Sequence, residues 1–336
     1  MEAALRAEGM PLVHLIGAKT EHKYQPETKR LLNTLIDALA AKGKPHEPEE
    51  IRFTTRTLRY PKMHWLTLLG LEKHWSRADV RARLTTDSVK ILVTNVTSFA
   101  LQLSPATAKR ISAVEINGTT LKISNMPSTP DFLIISRTNK TWALDGPSFP
   151  AHTKTVGHQG PIDDAFMERF VFVPPSSHGF HTATTDWIDK EFKRAVFEWR
   201  AQFRGDVRVM NDRDALAITN TANLVLWGDP QSNPLLARIL PQLPIKWNAD
   251  RIEFGGKTFD AKKHVPLMIF PNPLNPEKYV VLNSGFTFRG FGSNASQTPK
   301  LPDYAVLDVS KNDPFATGIA AAGFFNEQWQ LPARAE

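Results

Sequence analysis

The stretch NLVLWGDPQSNPLLARI, Asn223 to Ile239, sets several ligand-capable groups within a few residues of one another. Asn223 to Trp227 is a short apolar run, and Gly228-Asp229-Pro230 breaks it. Ser232 or Asn233 can cap, and Pro234 opens a segment with Leu235, Leu236, Ile239 and Leu240 on one face. That order reads as buried strand, tight turn and helix N-terminus. Ligands of open α/β sheets gather at such strand ends, where helix N-termini present free N–H groups. Gly228, Asp229, Ser232 and Asn233 are therefore the ligand-binding candidates. The competing reading is an ordinary strand-to-helix turn, because no glycine-rich phosphate fingerprint is present.

Other residue types offer less. The absence of cysteine excludes disulfides, thiolate metal sites and a cysteine nucleophile. His178-Gly179-Phe180-His181 lacks the i, i+4 spacing of a helical zinc pair. His14 lies in an apolar run, and His64 and His74 lie on β-like runs beside Trp65 and Trp75, where packing is the expected role. His152 and His158 flank glycine- and proline-rich turns. Asp163-Asp164 suits a cation or, more commonly, a helix cap. No metal and no cofactor is expected. A G-x-S-x-G nucleophile elbow is missing; Gly290-Phe291-Gly292-Ser293-Asn294 and Asn283-Ser284-Gly285 come nearest, and neither has the right glycines after a strand.

A chain of 336 residues has room for two or three domains, each with ample core. No run approaches the ~20 apolar residues that a membrane span needs. The formal charge of +7 suggests an anionic partner, but basic residues alternate with acids, as in Lys190-Glu191 and Asp212-Arg213-Asp214. No basic stripe interleaved with aromatics stands out, so nucleic-acid binding is not expected. MEAALRAEGM is helical and polar, without a signal-peptide core. A periplasmic or secreted location is expected only if the full-length protein carries a signal peptide.

Along the chain, residues 1–8 look like the end of a helix closed by Gly9. Pro11 to Ile16 (PLVHLI) reads as a short buried strand, and Gly17 to Gln25 as a polar loop. Pro26 starts a helix with Leu31, Leu32, Leu35, Ile36 and Leu39 at helical spacing, ended by Gly43 and Pro45. This is one α/β repeat, and a sheet needs more strands than one, so the chain is expected to start inside a domain. From Ile51 to Leu144, β-branched and aromatic runs alternate between turns, with Asn117-Gly118 a strong hairpin signal. That segment reads as a β-sandwich of roughly six or seven strands, closed by the linker-like Gly146 to Pro150. The remainder mixes a helix at Trp187–Phe203 with strands around FVFV, NLVLW, VPLMIF, KYVVL, Tyr304–Val309 and Ala320–Phe325. It reads as an α/β domain with a mixed sheet.

The pieces GAKTEHKYQPETK, TLRYPKMHW, HQGPIDDAFMERFVFV, NLVLWGDPQSN, PNPLNPEKYVVLNSGFTFR and LPDYAVLD together resemble the C-terminal part of large bacterial serine hydrolases. Those are similar to the prolyl oligopeptidase group of α/β-hydrolases and carry accessory domains. The resemblance spans essentially the whole chain. It implies that His22, between a strand and the last helix of its unit, corresponds to the catalytic histidine: general base toward the serine, then general acid toward the leaving group. Glu21 is adjacent but not placed as a triad acid is. The nucleophile and acid are expected before Met1, so this chain alone is not expected to perform acyl transfer. His22 also has a plain reading as a solvated loop histidine.

The expected architecture is therefore α/β plus β. Residues 1–48 form the C-terminal strand and helix of an α/β-hydrolase domain, 49–150 a β-sandwich, and 151–336 a C-terminal α/β domain. The expected function is the C-terminal portion of a serine peptidase or esterase, acting on a peptide or ester in the intact protein with its N-terminal catalytic region. The alternative is a non-catalytic module that binds a ligand, glycan or protein partner.

Overall fold

A computed structural model describes residues 1–124, 132–144, 152–287 and 301–331. The fold is mixed α and β, with several sheets and strands the commoner element. The chain divides into two compact units, Met1–Pro48 and Glu49–Glu336.

The first unit holds two helices, α1 (Glu2–Ala7) and α2 (Pro26–Lys42). Gly9, at φ 72°, follows the end of α1, and Gly43, at φ 69°, ends α2 with its N–H on Leu39 O. Both are left-handed positions where glycine avoids the Cβ clash. Neither helix contains a buried residue. Pro11–Ile16, expected as a buried strand, forms none, and Val13 and Ile16 are 69% and 73% exposed. The reason is that an extended segment needs a hydrogen-bonded neighbour to be a strand, and among the described residues of this unit none runs beside it.

The second unit begins with β1 (Glu50–Thr55), β2 (Lys62–Met63), β3 (Leu66–Leu71), β4 (Ala78–Leu84), β5 (Ser88–Thr94) and β6 (Val96–Leu101). Helix α3 (Pro105–Arg110), β7 (Ala113–Ile116), β8 (Thr119–Lys122), β9 (Leu133–Thr138) and β10 (Thr141–Ala143) follow. They make two sheets, in the orders β1-β4-β5-β7-β8 and β10-β9-β6-β3-β2. Alternation selects the inner faces: Ile51 and Phe53 on β1, Val80 and Ala82 on β4, Val89 and Ile91 on β5 are buried while their neighbours face water. These side chains join Leu66, Leu68, Phe99, Ile135 and Trp142 of the other sheet in one apolar cluster. Each buried aliphatic or aromatic side chain there contributes roughly 1.5–3 kcal/mol. The Asn117-Gly118 turn sits at φ 47° and 84° between β7 and β8, as a two-residue hairpin requires. The linker-like residues 146–150 lie outside the described residues.

The rest of the unit has its own core. A 3₁₀ turn at Ile162–Phe166 leads to β11 (Phe170–Val173), then α4 (Thr182–Phe203), α5 (Asp212–Leu216), β12 (Asn223–Leu226) and α6 (Pro234–Ile239). The chain continues through β13 (Lys246–Trp247), β14 (Arg251–Phe254), β15 (Lys257–Asp260), β16 (His264–Asn272), β17 (Asn275–Leu282), β18 (Tyr304–Asp308) and β19 (Ile319–Gly323). The order β11-β12-β17-β16-β18-β19 is parallel across its first three strands and antiparallel beyond, a mixed sheet. β11 and β12 are buried at every position, as strands covered on both faces are. Helix α4 lays Ile188 and Ala195 on that sheet, with Phe192, Val196 and Trp199 packed at the margin. The approach is close: a Cβ on Gly285 would stand 2.7 Å from that of Ala195. No helix among the described residues is long and apolar enough to cross a membrane.

Candidate functional site

His22 lies in an irregular turn of the first unit, between Gly17 and the N-terminus of α2. Thr20 Oγ1 donates to Gly17 O at 3.1 Å, and Lys19 adopts a left-handed φ of 56°, which together fold the loop back on itself. Gln25 precedes Pro26, whose fixed φ and missing N–H suit the first helical position. The His22 side chain is exposed, and no hydrogen bond reaches it from any described residue. The fold therefore presents this imidazole to solvent and brings neither a carboxylate nor a hydroxyl onto it. Beside it, Leu12, Val13, Leu15, Leu32, Leu35, Ile36 and Leu39 line a groove of about 870 Å³.

Gly228, Asp229, Ser232 and Asn233 do come together, in the turn between β12 and α6. Gly228 sits at φ 114°, and a Cβ there would meet Ser232 Oγ at 2.5 Å, so only glycine fits. Asp229 Oδ1 accepts from the N–H groups of Gln231 and Ser232, and Oδ2 from Phe180 N at 2.5 Å. Ser232 Oγ accepts from Asp229 N and donates to Asp229 O. Asn233 Oδ1 caps α6 through Leu235 and Leu236, while Nδ2 donates to Trp227 O and Val173 O. Asn283 closes the set, accepting from Gly228 N and donating to Gly228 O. The three polar side chains are nearly or wholly inaccessible, at 3%, 2% and 0%. Their hydrogen-bonding groups are spent inside the turn, which makes it a brace between β11, β12 and β17.

A different region of the second unit is open to a ligand. A cleft of about 640 Å³ is walled by Tyr60, Trp75, Pro161, Met167, Leu301 and Phe324, and carries Arg59, Asp163 and Asp164. Its floor comes from the 3₁₀ turn Ile162–Phe166, and one wall from the loops around β2 and β3. Asp164 Oδ2 accepts the phenolic proton of Tyr279 at 2.8 Å, and Oδ1 accepts from Arg59 at 3.3 Å. Tyr279 Oη in turn accepts from Gly160 N at 3.1 Å. Burial pushes the Asp164 carboxyl up to about 6, outweighing the opposing effects of Tyr279, Arg59 and Gln159. Asp163 is raised by burial as well, against hydrogen bonds from the N–H and hydroxyl of Thr287. Burial and the Asp164 charge raise Tyr279 well above the ordinary phenol.

Two further contacts tie the cleft together. Lys154 Nζ meets Asp303 Oδ2 at 2.6 Å with both side chains fully inaccessible, and Phe325 N donates to the same oxygen. His74 Nδ1 lies 2.6 Å from Glu327 Oε2, while Leu58 N–H points at Nε2 from 3.4 Å. That pattern assigns the ring proton to Nδ1, since a nitrogen that accepts cannot also donate. His158 stacks on Tyr279 at 4.9 Å between ring centres, and burial lowers its pKa.

Sequence reasoning singled out Asp163-Asp164, but as a cap or cation ligand. Their partners Arg59, Thr287 and Tyr279 lie more than a hundred residues away along the chain, and nothing local marks them. The signal that could have found the site is the HQGPIDD run itself, two adjacent acids set in apolar sequence. Among the described residues no group of three or more His, Asp or Glu side chains is placed to hold a metal ion. No family model, no curated protein and no solved structure matches this chain.

Proposed function

We propose that this chain is part of a serine hydrolase of the prolyl oligopeptidase type, and that His22 is its proton-transferring histidine. In this reading Met1–Pro48 is the last strand-and-helix element of an α/β-hydrolase domain, residues 49–150 are a β-sandwich, and residues 151–336 an accessory α/β domain. The observation that carries it is the uncovered apolar side of the first unit. Leu12, Val13, Leu35 and Ile36 share a groove and face no core of their own, directly beside the loop that holds out His22. A hydrolase sheet covers such a face, and a neighbouring strand supplies the hydrogen bonds that would turn Pro11–Ile16 into a strand.

The chemistry divides accordingly. His22 takes the proton of a serine hydroxyl as that oxygen attacks the acyl carbon, then returns it to the leaving group. The serine and the acid that orients the imidazole come from a segment other than this sequence, which has no G-x-S-x-G elbow. Fluorophosphonate labelling tests the division of labour. The 336-residue chain stays unlabelled and does not turn over activated esters; a labelled serine within it overturns the assignment. A second reading, a ligand-binding module, is favoured by the cleft over Asp163 and Asp164, an apolar pocket with a few convergent polar groups.

A further inference from the structure

The cleft walled by Trp75 and floored by Asp164 has a chemistry that the hydrolase reading leaves unused. Among the described residues, two carboxylates, Asp163 and Asp164, face it against one lining cation, Arg59. Arg59 is already committed to Asp164 at 3.3 Å, and the Asp164 side chain is only 4% exposed. An anion entering here meets the carboxylates and finds the guanidinium occupied. A neutral apolar ligand takes water from both acids and returns no charge interaction.

The aromatic wall points the same way. Trp75 and Phe324 lie 5.5 Å apart between ring centres, and Tyr60 is 71% exposed at the mouth. The faces of such rings carry negative potential and attract cations, more strongly where water is excluded. Trp75 is held at φ 66°, a left-handed conformation that costs a bulky residue strain. Arg56 pins it on both sides, accepting from Trp75 N at 2.7 Å and donating to Trp75 O at 3.0 Å. The indole Nε1–H is buried and has no acceptor among the described residues. The left-handed backbone at Trp75, held by Arg56, keeps its ring in the cleft wall.

We propose that this cleft binds an organic ammonium ion carried on an apolar body, the charge toward Asp163 and Asp164 and the body against Trp75, Tyr60 and Phe324. The aromatic faces and the carboxylates then attract the same group. This site stands independently of His22 and of the hydrolase reading.

Calorimetric titration of the 336-residue chain with matched probes tests it. Choline and benzyltrimethylammonium are the cations, 3,3-dimethylbutan-1-ol the neutral shape mimic of choline, and phenylacetate the anion. The cations bind at least tenfold more tightly than the neutral mimic, and phenylacetate does not bind. Trp75→Leu and Asp163→Asn each weaken the cations by tenfold or more. Preference for phenylacetate, or no cation binding up to about 10 mM, overturns the proposal. So does cation affinity that Trp75→Leu leaves unchanged while the melting temperature holds. Should Asp163→Asn fail to fold, the Trp75→Leu result and the ratio of cation to neutral-mimic affinity decide.

Discussion

Tyr279 donates its phenolic proton to Asp164 at 2.8 Å, joining β17 to the 3₁₀ turn that floors the cleft. The same oxygen accepts from Gly160 N, so one hydroxyl satisfies two buried groups. Tyr279→Phe leaves the Gly160 N–H and one lone pair of Asp164 without a partner. The expected loss is about 1–3 kcal/mol of stability in urea unfolding. The Asp164 pKa should climb further in an NMR titration, because the lost hydrogen bond was lowering it.

Acid should stabilise this part of the molecule. The folded Asp164 pKa, about 6, lies above the ordinary aspartate value of 3.8, with Arg59 and Glu168 the charged groups acting on it. The folded state therefore holds a proton that the unfolded state releases between those values. The stability that this group contributes is full below about pH 4 and is lost as pH rises through about 6. At 1.36 kcal/mol per pKa unit the span is of order 2–3 kcal/mol. Asp163 and Asp303 shift in the same direction through burial. Asp164→Asn, fixed in the neutral form, should flatten the slope of unfolding free energy between pH 4 and 6; an unchanged slope contradicts the assignment.

Lys154 and Asp303 form an ion pair closed to water on both sides. Lys154→Met leaves a buried carboxylate uncompensated and should cost about 3–5 kcal/mol. The double variant Lys154→Met/Asp303→Asn should recover a large share of that loss, since removing both charges also removes the desolvation penalty. Thermal unfolding of the single and double variants measures the coupling.

The turn after β12 should behave as structure. Asn233→Ala removes the cap of α6 and both donors to Trp227 O and Val173 O. A loss of about 2 kcal/mol or more is expected, measurable by urea unfolding.

Local patterns made much of this fold legible. Apolar NLVLW before Gly228-Asp229-Pro230 and a capped Pro234 specify strand, turn and helix without distant partners, and β12 and α6 stand there. Alternation in RFTT and VKILV likewise marks the faces of β1 and β5. What failed was non-local. PLVHLI has the composition of a strand but no neighbour to pair with, and it stays irregular. The acids Asp163 and Asp164 gain their character from Thr287 and Tyr279, which sequence distance hides. Asp229 and Ser232 carry ligand-type groups, yet their lone pairs and protons turn inward to the backbone, a fact that only geometry reveals.

In the first unit, α2 has no buried residue and its apolar side stays open. Its amides should exchange with solvent within minutes in the isolated chain, while those of β11, β12 and β17, buried in the sheet core, exchange orders of magnitude more slowly. Slow exchange throughout α2 would show that its face is already covered.

The decisive measurement is kcat for an activated ester with His22→Ala, in the assembled hydrolase that unites this sequence with the serine-bearing segment. His64→Ala, a substitution in the β-rich part of the second unit, serves as the control. If His22 moves the proton, its loss lowers kcat by about 10⁴-fold or more at unchanged melting temperature, because oxyanion binding alone remains. His64→Ala then leaves kcat nearly intact. A His22→Ala enzyme within about twofold of the parent, the range of an exposed substitution, contradicts the account, and loss of turnover in His64→Ala would place the histidine in the β-rich segment instead.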